Sequence, residues 1–530
     1  MLFKQDLKRF ELLSMPLKSD NKLIKIAVHR NHSFEMVASV LNTFLDFSNI
    51  KAEFFYSDYD DSLNFTGTEN NVDINLIWLD ISHYKNINVK EWLIERISFL
   101  KSVSSAKILL YHTGEVDLSS INIADVLFVD INNIKQQLGE QTFDLAKEEY
   151  SGTRLSNKAS LHIAREIGRY IPALLTTPLK AIVLDLDNTL YEGVLGEDGI
   201  NGIKPFVELQ KYLKGLKEQG FLLAIASKNE EIDVRTLFEN RKDFPLSFDD
   251  FSAYEINWDS KAENINKIAK KLNIGINSML FIDDNIGEVE QVRTFHPQIK
   301  IIEATSSEVV VNTLKYYPGL YKTNLSNEDE IRTNDIKANQ QRESLSKTLS
   351  EEEYLKKLKI KLTYEINPIC HLKRITELLN KTNQFIMSYA RYNETQVEKF
   401  LQNSDYCIVT ISMSDKLSDS GIIAILISHK ENENLFIDEL VISCRALGRN
   451  IEDCMIKKAL MFTNETLRLK RKIMLLYKKG ERNKPALSWI EKNSPDVLED
   501  SGVVLLTMDN VSFDNIDIAL KIHGGLQNVR

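Results

Sequence analysis

The segment Lys180-Ala-Ile-Val-Leu-Asp185-Leu-Asp187-Asn188-Thr189 delivers two carboxylates, spaced i and i+2, at the end of an apolar run. Side chains alternate along a strand, so Asp185 and Asp187 point the same way while the backbone stays extended. Ligand sites in open α/β sheets lie at the carboxyl ends of the strands. Two acids there repel unless a cation sits between them, and Mg²⁺ is the natural candidate. A strand ending in a polar turn is the plainer reading of this motif alone. Three later features weigh against it. Phe221 to Ala226 ends in Ser227-Lys228-Asn229, where a hydroxyl and backbone N–H groups suit a phosphate oxygen. Lys261 precedes a helix, where its ammonium can neutralise a phosphate, although a lysine taken alone is more often simply exposed. Phe281-Ile282-Asp283-Asp284-Asn285 ends another apolar run in paired acids, and either Asp283 or Asp284 would complete a magnesium site.

These residues need strands and helices to hold them. Through the first two thirds, apolar runs of strand length alternate with helix-period segments, the pattern of a parallel α/β sheet. Strands are predicted over Leu23–Val28, Ala52–Tyr56, Ile74–Leu79, Lys107–Tyr111, Lys180–Leu184, Phe221–Ala226 and Met279–Ile282. Helices are predicted over Ser33–Phe47, Trp92–Lys101, Ser160–Leu174, Phe206–Gln219 and Ala262–Leu272. Thr323–Glu353 is polar and charged and reads as a solvated helical linker. Beyond it, mostly antiparallel strands are predicted over Lys361–Ile366, Tyr406–Met413, Gly421–Ser428 and Leu435–Ile442. Helices around Ile451–Thr463 and Pro485–Lys492 complete a separate α+β domain.

The order strand–DxDxT, strand–Ser, Lys, strand–Asp-Asp resembles the haloacid dehalogenase superfamily of phosphoryl-transfer enzymes. The resemblance implies that Asp185 is a nucleophile forming an aspartyl-phosphate. Asp187 would be the general acid and base. Ser227 and Lys261 would hold the phosphoryl oxygens, and Thr189 would fix the loop. Asp185, Asp187, Asp283 and Asp284 are the candidate metal ligands, and Lys228 and Asn229 join the candidate phosphate or substrate contacts. The stretch from Asp185 through Gly196-Glu197-Asp198-Gly199 is similar to the FkbH-like group, subclass IIIC of that superfamily. So are Ser227-Lys228-Asn229, Asn257-Trp258, Asp283-Asp284-Asn285 with Glu288, Lys381-Thr-Asn383-Gln384-Phe385, Asp415 to Gly421, and Ser443-Cys444-Arg445-Ala-Leu-Gly448-Arg449. Ile386 departs from that family's Gln-Phe-Asn stretch.

FkbH-like proteins are glyceryl transferases. The resemblance implies a donor, 1,3-bisphosphoglycerate, and an acceptor, the thiol of an acyl carrier protein. Residues 354–530 resemble the GNAT acyltransferase fold, which places a pyrophosphate at the helix N-terminus after Arg445-Ala-Leu-Gly448-Arg449-Asn450. Asn450 stands where a small residue is usual, which counts against coenzyme A and leaves a pantetheine arm open. Cys444 is the candidate acyl-accepting thiol: it follows an apolar strand, with Arg445 next to it, near a helix start. The plainer alternative is a buried cysteine acting as a small hydrophobe. Cys370, Cys407 and Cys454 take that plainer reading. Residues 1–176 resemble an SGNH hydrolase domain but carry His29-Arg30-Asn31-His32-Ser33 in place of a Gly-Asp-Ser block. A docking or scaffolding role follows. His29 and His32 are either a metal pair or, more simply, surface residues or the lead-in to a helix.

The predicted organisation is therefore an SGNH-like α/β domain (1–176), a HAD-like Rossmannoid domain (177–322), a linker (323–353) and a GNAT-like α+β domain (354–530). The leading reading is a Mg²⁺-dependent glyceryl transferase serving polyketide or surface polysaccharide synthesis. The alternatives are a small-molecule phosphatase with an interaction domain, or a non-enzymatic scaffold. Composition excludes other classes. The 530 residues hold 66 Lys plus Arg and 76 Asp plus Glu, a net charge of −10 that disfavours coating nucleic acid. Hydrophobic residues at 43% are ordinary for a globular protein. No apolar run approaches the ~18 residues of a membrane span, and four cysteines are no disulfide framework, so a cytoplasmic setting is expected. One basic cluster stands out: Arg468, Lys470, Arg471, Lys472, Lys478, Lys479, Arg482 and Lys484. It is either a solvated face or a landing surface for an acidic carrier.

Overall fold

The computed structural model describes residues 2–530 except 5, 66–70, 86, 115, 117, 119–120, 122, 124–125, 177–178, 321–337, 339–341, 343–344, 346–348, 383, 444–445, 448, 450, 469–471, 481–482, 508–515 and 523–530. The chain divides into two compact units. The first holds residues 1–250, 256–262 and 277–324, and the second residues 251–255, 263–276 and 325–530.

Strands β1 (Lys22–Arg30), β2 (Ile50–Tyr59), β3 (Ile74–Leu79), β4 (Lys107–His112) and β5 (Val126–Asp130) form a sheet of order β2-β1-β3-β4-β5. All its pairs are parallel. This is one of the two common doubly wound orders. Strand β3 is buried along its whole length, as a strand covered on both faces requires.

A second sheet has order β10-β9-β6-β11-β12. Its strands are β6 (Ala181–Leu184), β9 (Leu222–Ser227), β10 (Phe251–Ile256), β11 (Met279–Asp283) and β12 (Lys300–Glu303). Strand β6 pairs in parallel with β9 on one side and β11 on the other. In chain order within the sheet this is 3-2-1-4-5, so the winding direction reverses between β6 and β11. A crevice opens at such a point, above the carboxyl ends of the strands. A short hairpin of β7 (Tyr191–Glu192) and β8 (Lys204–Pro205) follows β6.

Within the first unit, helix Asn157–Leu175 meets the chain that follows β12. The Arg165 guanidinium lies 3.5 Å from the centre of the Tyr316 ring. Arg169 donates to the carbonyl oxygens of Lys315 at 2.7 Å and Leu320 at 3.1 Å.

The second unit carries β13 (Lys361–Ile366), β14 (Phe385–Ile386), β15 (Tyr406–Ser414), β16 (Asp419–Glu431), β17 (Asn434–Ile442), β18 (Ile473–Lys478), β19 (Ser501–Leu506) and β20 (Asp517–Ile522). Their order is β19-β18-β17-β16-β15-β13-β20, with β14 on β17. Antiparallel pairs predominate, as predicted, but β17–β18 and β13–β20 are parallel. The β17–β18 pairing covers only Leu435–Ile437. At the far end of β17, Val441 and Ile442 pair with β14 instead.

Several expectations need correction. Arg342, assigned to a solvated linker, is buried at 3% exposure, because its guanidinium pairs with buried Asp415 at 2.8 Å. His29 and His32 are buried as well, not surface residues. His29 is hydrogen-bonded to Asn75 at 3.0 Å, and His32 is bonded to Thr153 at 2.9 Å and stacked on Trp78. Cys407 and Cys454 are buried, but Cys370 is exposed. Among the described residues, no helix is long and apolar enough to cross a membrane.

Helix Asn157–Leu175 packs on helix Glu35–Asp46 through Gly168, where an added Cβ would lie 2.5 Å from Cβ of Phe44. Overpacking there is not relieved by a flexible tip. Gly168→Val is expected to lower unfolding free energy by roughly 1–3 kcal/mol. Chemical denaturation checks this, and an unchanged midpoint would contradict the close approach.

Candidate active site

Strand β6 is four apolar residues, all buried. The chain leaves the sheet at Asp185, whose N–H still donates to the carbonyl of Ile282 on β11 at 3.0 Å. That bond fixes Asp185 beside the end of β11, where Asp283 lies. Strand β9, on the other flank of β6, ends in Ser227. Three adjacent parallel strands thus deliver Asp185, Asp283 and Ser227 to one crevice at the reversal point.

Lys261 completes the crevice as the first residue of helix Lys261–Leu272. Its ammonium lies 3.0 Å from Asp185 Oδ1 and 2.6 Å from Asp283 Oδ2. All three side chains are nearly inaccessible, at 3% for Lys261, 5% for Asp185 and 0% for Asp283. Ser227 Oγ donates to Asp185 Oδ1 at 2.8 Å. Burial raises the proton affinity of Asp185, and Lys261 and Ser227 oppose it. Asp283 is pushed up to about 7, by burial first and then by the Asp185 charge. The nearby carboxylates hold Lys261 firmly protonated despite its burial.

Asp187 is held differently. Its Oδ1 accepts from the Tyr191 hydroxyl at 2.7 Å and from the Leu195 N–H at 3.1 Å. Its Oδ2 accepts from Asn229 Nδ2 at 3.0 Å. The turn between them depends on Asn188, which sits at φ 52° and receives the Gly193 N–H on its side-chain oxygen at 3.1 Å. Asn tolerates this left-handed conformation better than most residues. Burial and the Asp187 charge raise the Tyr191 proton affinity, so its hydroxyl stays a donor.

The ligand oxygens of Asp185, Asp283 and Asp284 all lie within 4.8 Å of one another. Three carboxylates gather there, and the Lys261 ammonium pairs with two of them, an arrangement that fits a hard divalent cation. The predicted fourth ligand, Asp187, is not in that group, because its oxygens are turned toward Tyr191, Leu195 and Asn229. Thr189 Oγ1 accepts from the Asp284 N–H at 3.1 Å, so it ties the β6 loop to the β11 loop. Asn285 caps helix Ile286–Phe295 by accepting from Gly287 and Glu288 N–H.

Lys228 points elsewhere: its ammonium pairs with Glu288 at 2.5 Å. The contacts of Tyr191 and Asn229 with Asp187, and of Glu288 with Lys228, are not announced by the sequence around them. Tyr191 follows Asp187 by four residues, but nothing in that spacing announces a hydrogen bond. Cys444, Arg445 and Gly448 lie outside the described residues. Helix Glu452–Leu467, which follows them, opens with Glu452 and Asp453. Acids at a helix N-terminus occupy the field that a bound anion would use.

No family model and no curated protein matches the chain. Solved structures do. The N-terminal part of BF1531 from Bacteroides fragilis, containing a phosphatase domain complexed with Mg, is 23% identical. That match covers 60% of this chain and 98% of that one, at a TM-score of 0.45. An acetyltransferase of the GNAT family from Streptococcus pneumoniae is 13% identical over 27% of this chain and 96% of that one, at a TM-score of 0.21. The ribosomal-protein-S18-alanine N-acetyltransferase from Escherichia coli is 10% identical over 29% of this chain and 97% of that one, also at 0.21. Likeness at this level fixes neither a reaction nor a substrate.

A carboxyl whose folded pKa is raised stabilises the fold at acid pH and loses that contribution as pH rises through the folded value. For Asp283 the loss begins near the ordinary carboxyl value and is largely complete once pH passes about 7. With divalent metal chelated, the thermal midpoint is expected to fall from pH 5 to pH 7, and to fall less in Asp283→Asn. An identical pH dependence in both proteins would contradict the crowding of acids described here.

Proposed function

We propose that the chain is a phosphoryl-transfer enzyme in which Asp185 is the nucleophile. One observation carries this reading: a buried carboxylate lies between a serine hydroxyl and a lysine ammonium, with a second, separately oriented carboxylate two residues on. An Asp185 oxygen attacks the phosphorus of a phosphate ester, and the ester oxygen leaves with a proton from Asp187. Water then attacks the aspartyl-phosphate and gives its proton to Asp187, releasing phosphate and restoring Asp185. Tyr191 and Asn229 hold Asp187 in orientation for both proton transfers. Ser227 and Lys261 sit where they would donate to the phosphoryl oxygens. Asp185, Asp283 and Asp284 would hold Mg²⁺, which would supply positive charge to a site where acids outnumber ammoniums.

The wider reading is glyceryl transfer. The resemblance of motifs along the chain to FkbH-like proteins supports it, and that resemblance implies 1,3-bisphosphoglycerate as donor and an acyl carrier protein as acceptor. In that reaction a thiolate attacks the acyl-phosphate carbon and displaces phosphate, leaving a thioester, and Asp185 removes the ester phosphate at the other end. Cys444 is the proposed relay thiol. The described members of the basic cluster, Arg468, Lys472, Lys478, Lys479 and Lys484, are exposed and suit an acidic carrier. The acids that open helix Glu452–Leu467 fit a pantetheine arm better than a pyrophosphate there.

Incubation with 1,3-bisphosphoglycerate, Mg²⁺ and an acyl carrier protein is expected to give a glyceryl thioester by intact mass. Asp185→Asn should leave the ester phosphate in place, so that the carrier adduct is heavier by one phosphoryl group, and full release of the ester phosphate would remove Asp185 from the chemistry. Cys444→Ala should block only thioester formation. Turnover of small phosphate esters with no acylated carrier would instead favour a phosphatase with an attached interaction domain.

A further inference from the structure

A second group of metal-ligating side chains lies in the other unit and shares no residue with the candidate active site. Glu365 on β13, Cys370 and His371 bring a carboxylate oxygen, a thiol sulfur and an imidazole nitrogen within 4.8 Å of one another. Glu365 is buried, His371 is half-buried and Cys370 is exposed. The fold sets all three. Glu365 is pinned in register between Thr410 of β15 and Lys521 of β20. Cys370 and His371 sit in the single helical turn Ile369–His371, closed by the His371 N–H on the Pro368 carbonyl at 3.0 Å.

We propose that Glu365, Cys370 and His371 form a Zn²⁺ site. The donor set is one oxygen, one nitrogen and one sulfur, the combination Zn²⁺ accepts. His371 Nε2 and Glu365 Oε2 are 3.1 Å apart. Two ligands each about 2.0 Å from one ion, at a near-tetrahedral angle, have this separation. The sulfur needs to approach to about 3.5 Å from each of them, and an exposed side chain on a single turn can make that adjustment. Lys521 does not block the site, because its ammonium pairs with the other carboxylate oxygen, Oε1, at 2.9 Å. Glu365 can therefore hold Lys521 and the ion at once. A thiolate and a carboxylate balance the two charges of the ion. Three protein ligands leave a fourth position open to water or a ligand.

The test uses the full chain under reducing conditions, with Zn²⁺ titrated against a chromophoric chelator and Co²⁺ as a spectroscopic probe. Asp283→Asn serves as the background that weakens the other acidic site. One Zn²⁺ per chain is expected in that background. Co²⁺ is expected to give a thiolate-to-metal charge-transfer band. Cys370→Ser should abolish the band and weaken Zn²⁺ binding by roughly tenfold or more. His371→Asn should weaken binding as well, and circular dichroism would verify that both variants fold. Absence of the band in the unsubstituted chain, or equal affinity in folded Cys370→Ser, would overturn the proposal.

Discussion

The ammonium of Lys261 between Asp185 and Asp283 is the interaction on which the candidate active site depends. Two carboxylates out of reach of water repel each other strongly, and each resists ionising alone. The parallel pairing of β6 with β11 nevertheless forces them together, because the strands end side by side. Lys261 offsets part of that repulsion. Burial first, and then the repulsion that remains, raise the proton affinity of Asp283, which is the physical form of a demand for more positive charge. A divalent cation and a phosphoryl group, bound together, would meet that demand and give the crowded acids a role.

The two acids of the Asp-x-Asp motif are separated by environment rather than by type. Asp185 faces a cation and a hydroxyl donor, whereas Asp187 faces a phenol, an amide and a backbone N–H. A strand that stayed extended would have aimed both at the same point. The chain instead leaves the sheet after Leu184 and turns at Asn188, so Asp187 is drawn back toward Tyr191. This division suits a nucleophile and a proton carrier better than it suits two metal ligands.

Much of this was legible in the sequence because the informative signals were local. Apolar runs closed by Asp185, Ser227 and Asp283 mark strand ends, and strand ends in an α/β sheet meet in space. The ends of β6, β9 and β11 were therefore placed closely. Strands β10 and β12 are short runs of intermediate polarity that do not separate from loops, and β18 is a short apolar run closed by no acid or hydroxyl. Long-range pairings also escaped notice. Nothing adjacent to Arg342 predicts Asp415, and nothing adjacent to Lys228 predicts Glu288. Cys370 was assigned to the core by the general preference of cysteine for burial. The turn that exposes it depends on how β13 hands the chain to helix Leu372–Lys381.

The stereochemical course at phosphorus tests the central claim most directly. With a thiophosphate ester made chiral by oxygen isotopes and water carrying the third isotope, attack by Asp185 followed by attack of water gives two inversions. Net retention in the released thiophosphate is therefore expected. Net inversion would mean that water displaces the ester oxygen in one step, and Asp185 would then not be the nucleophile.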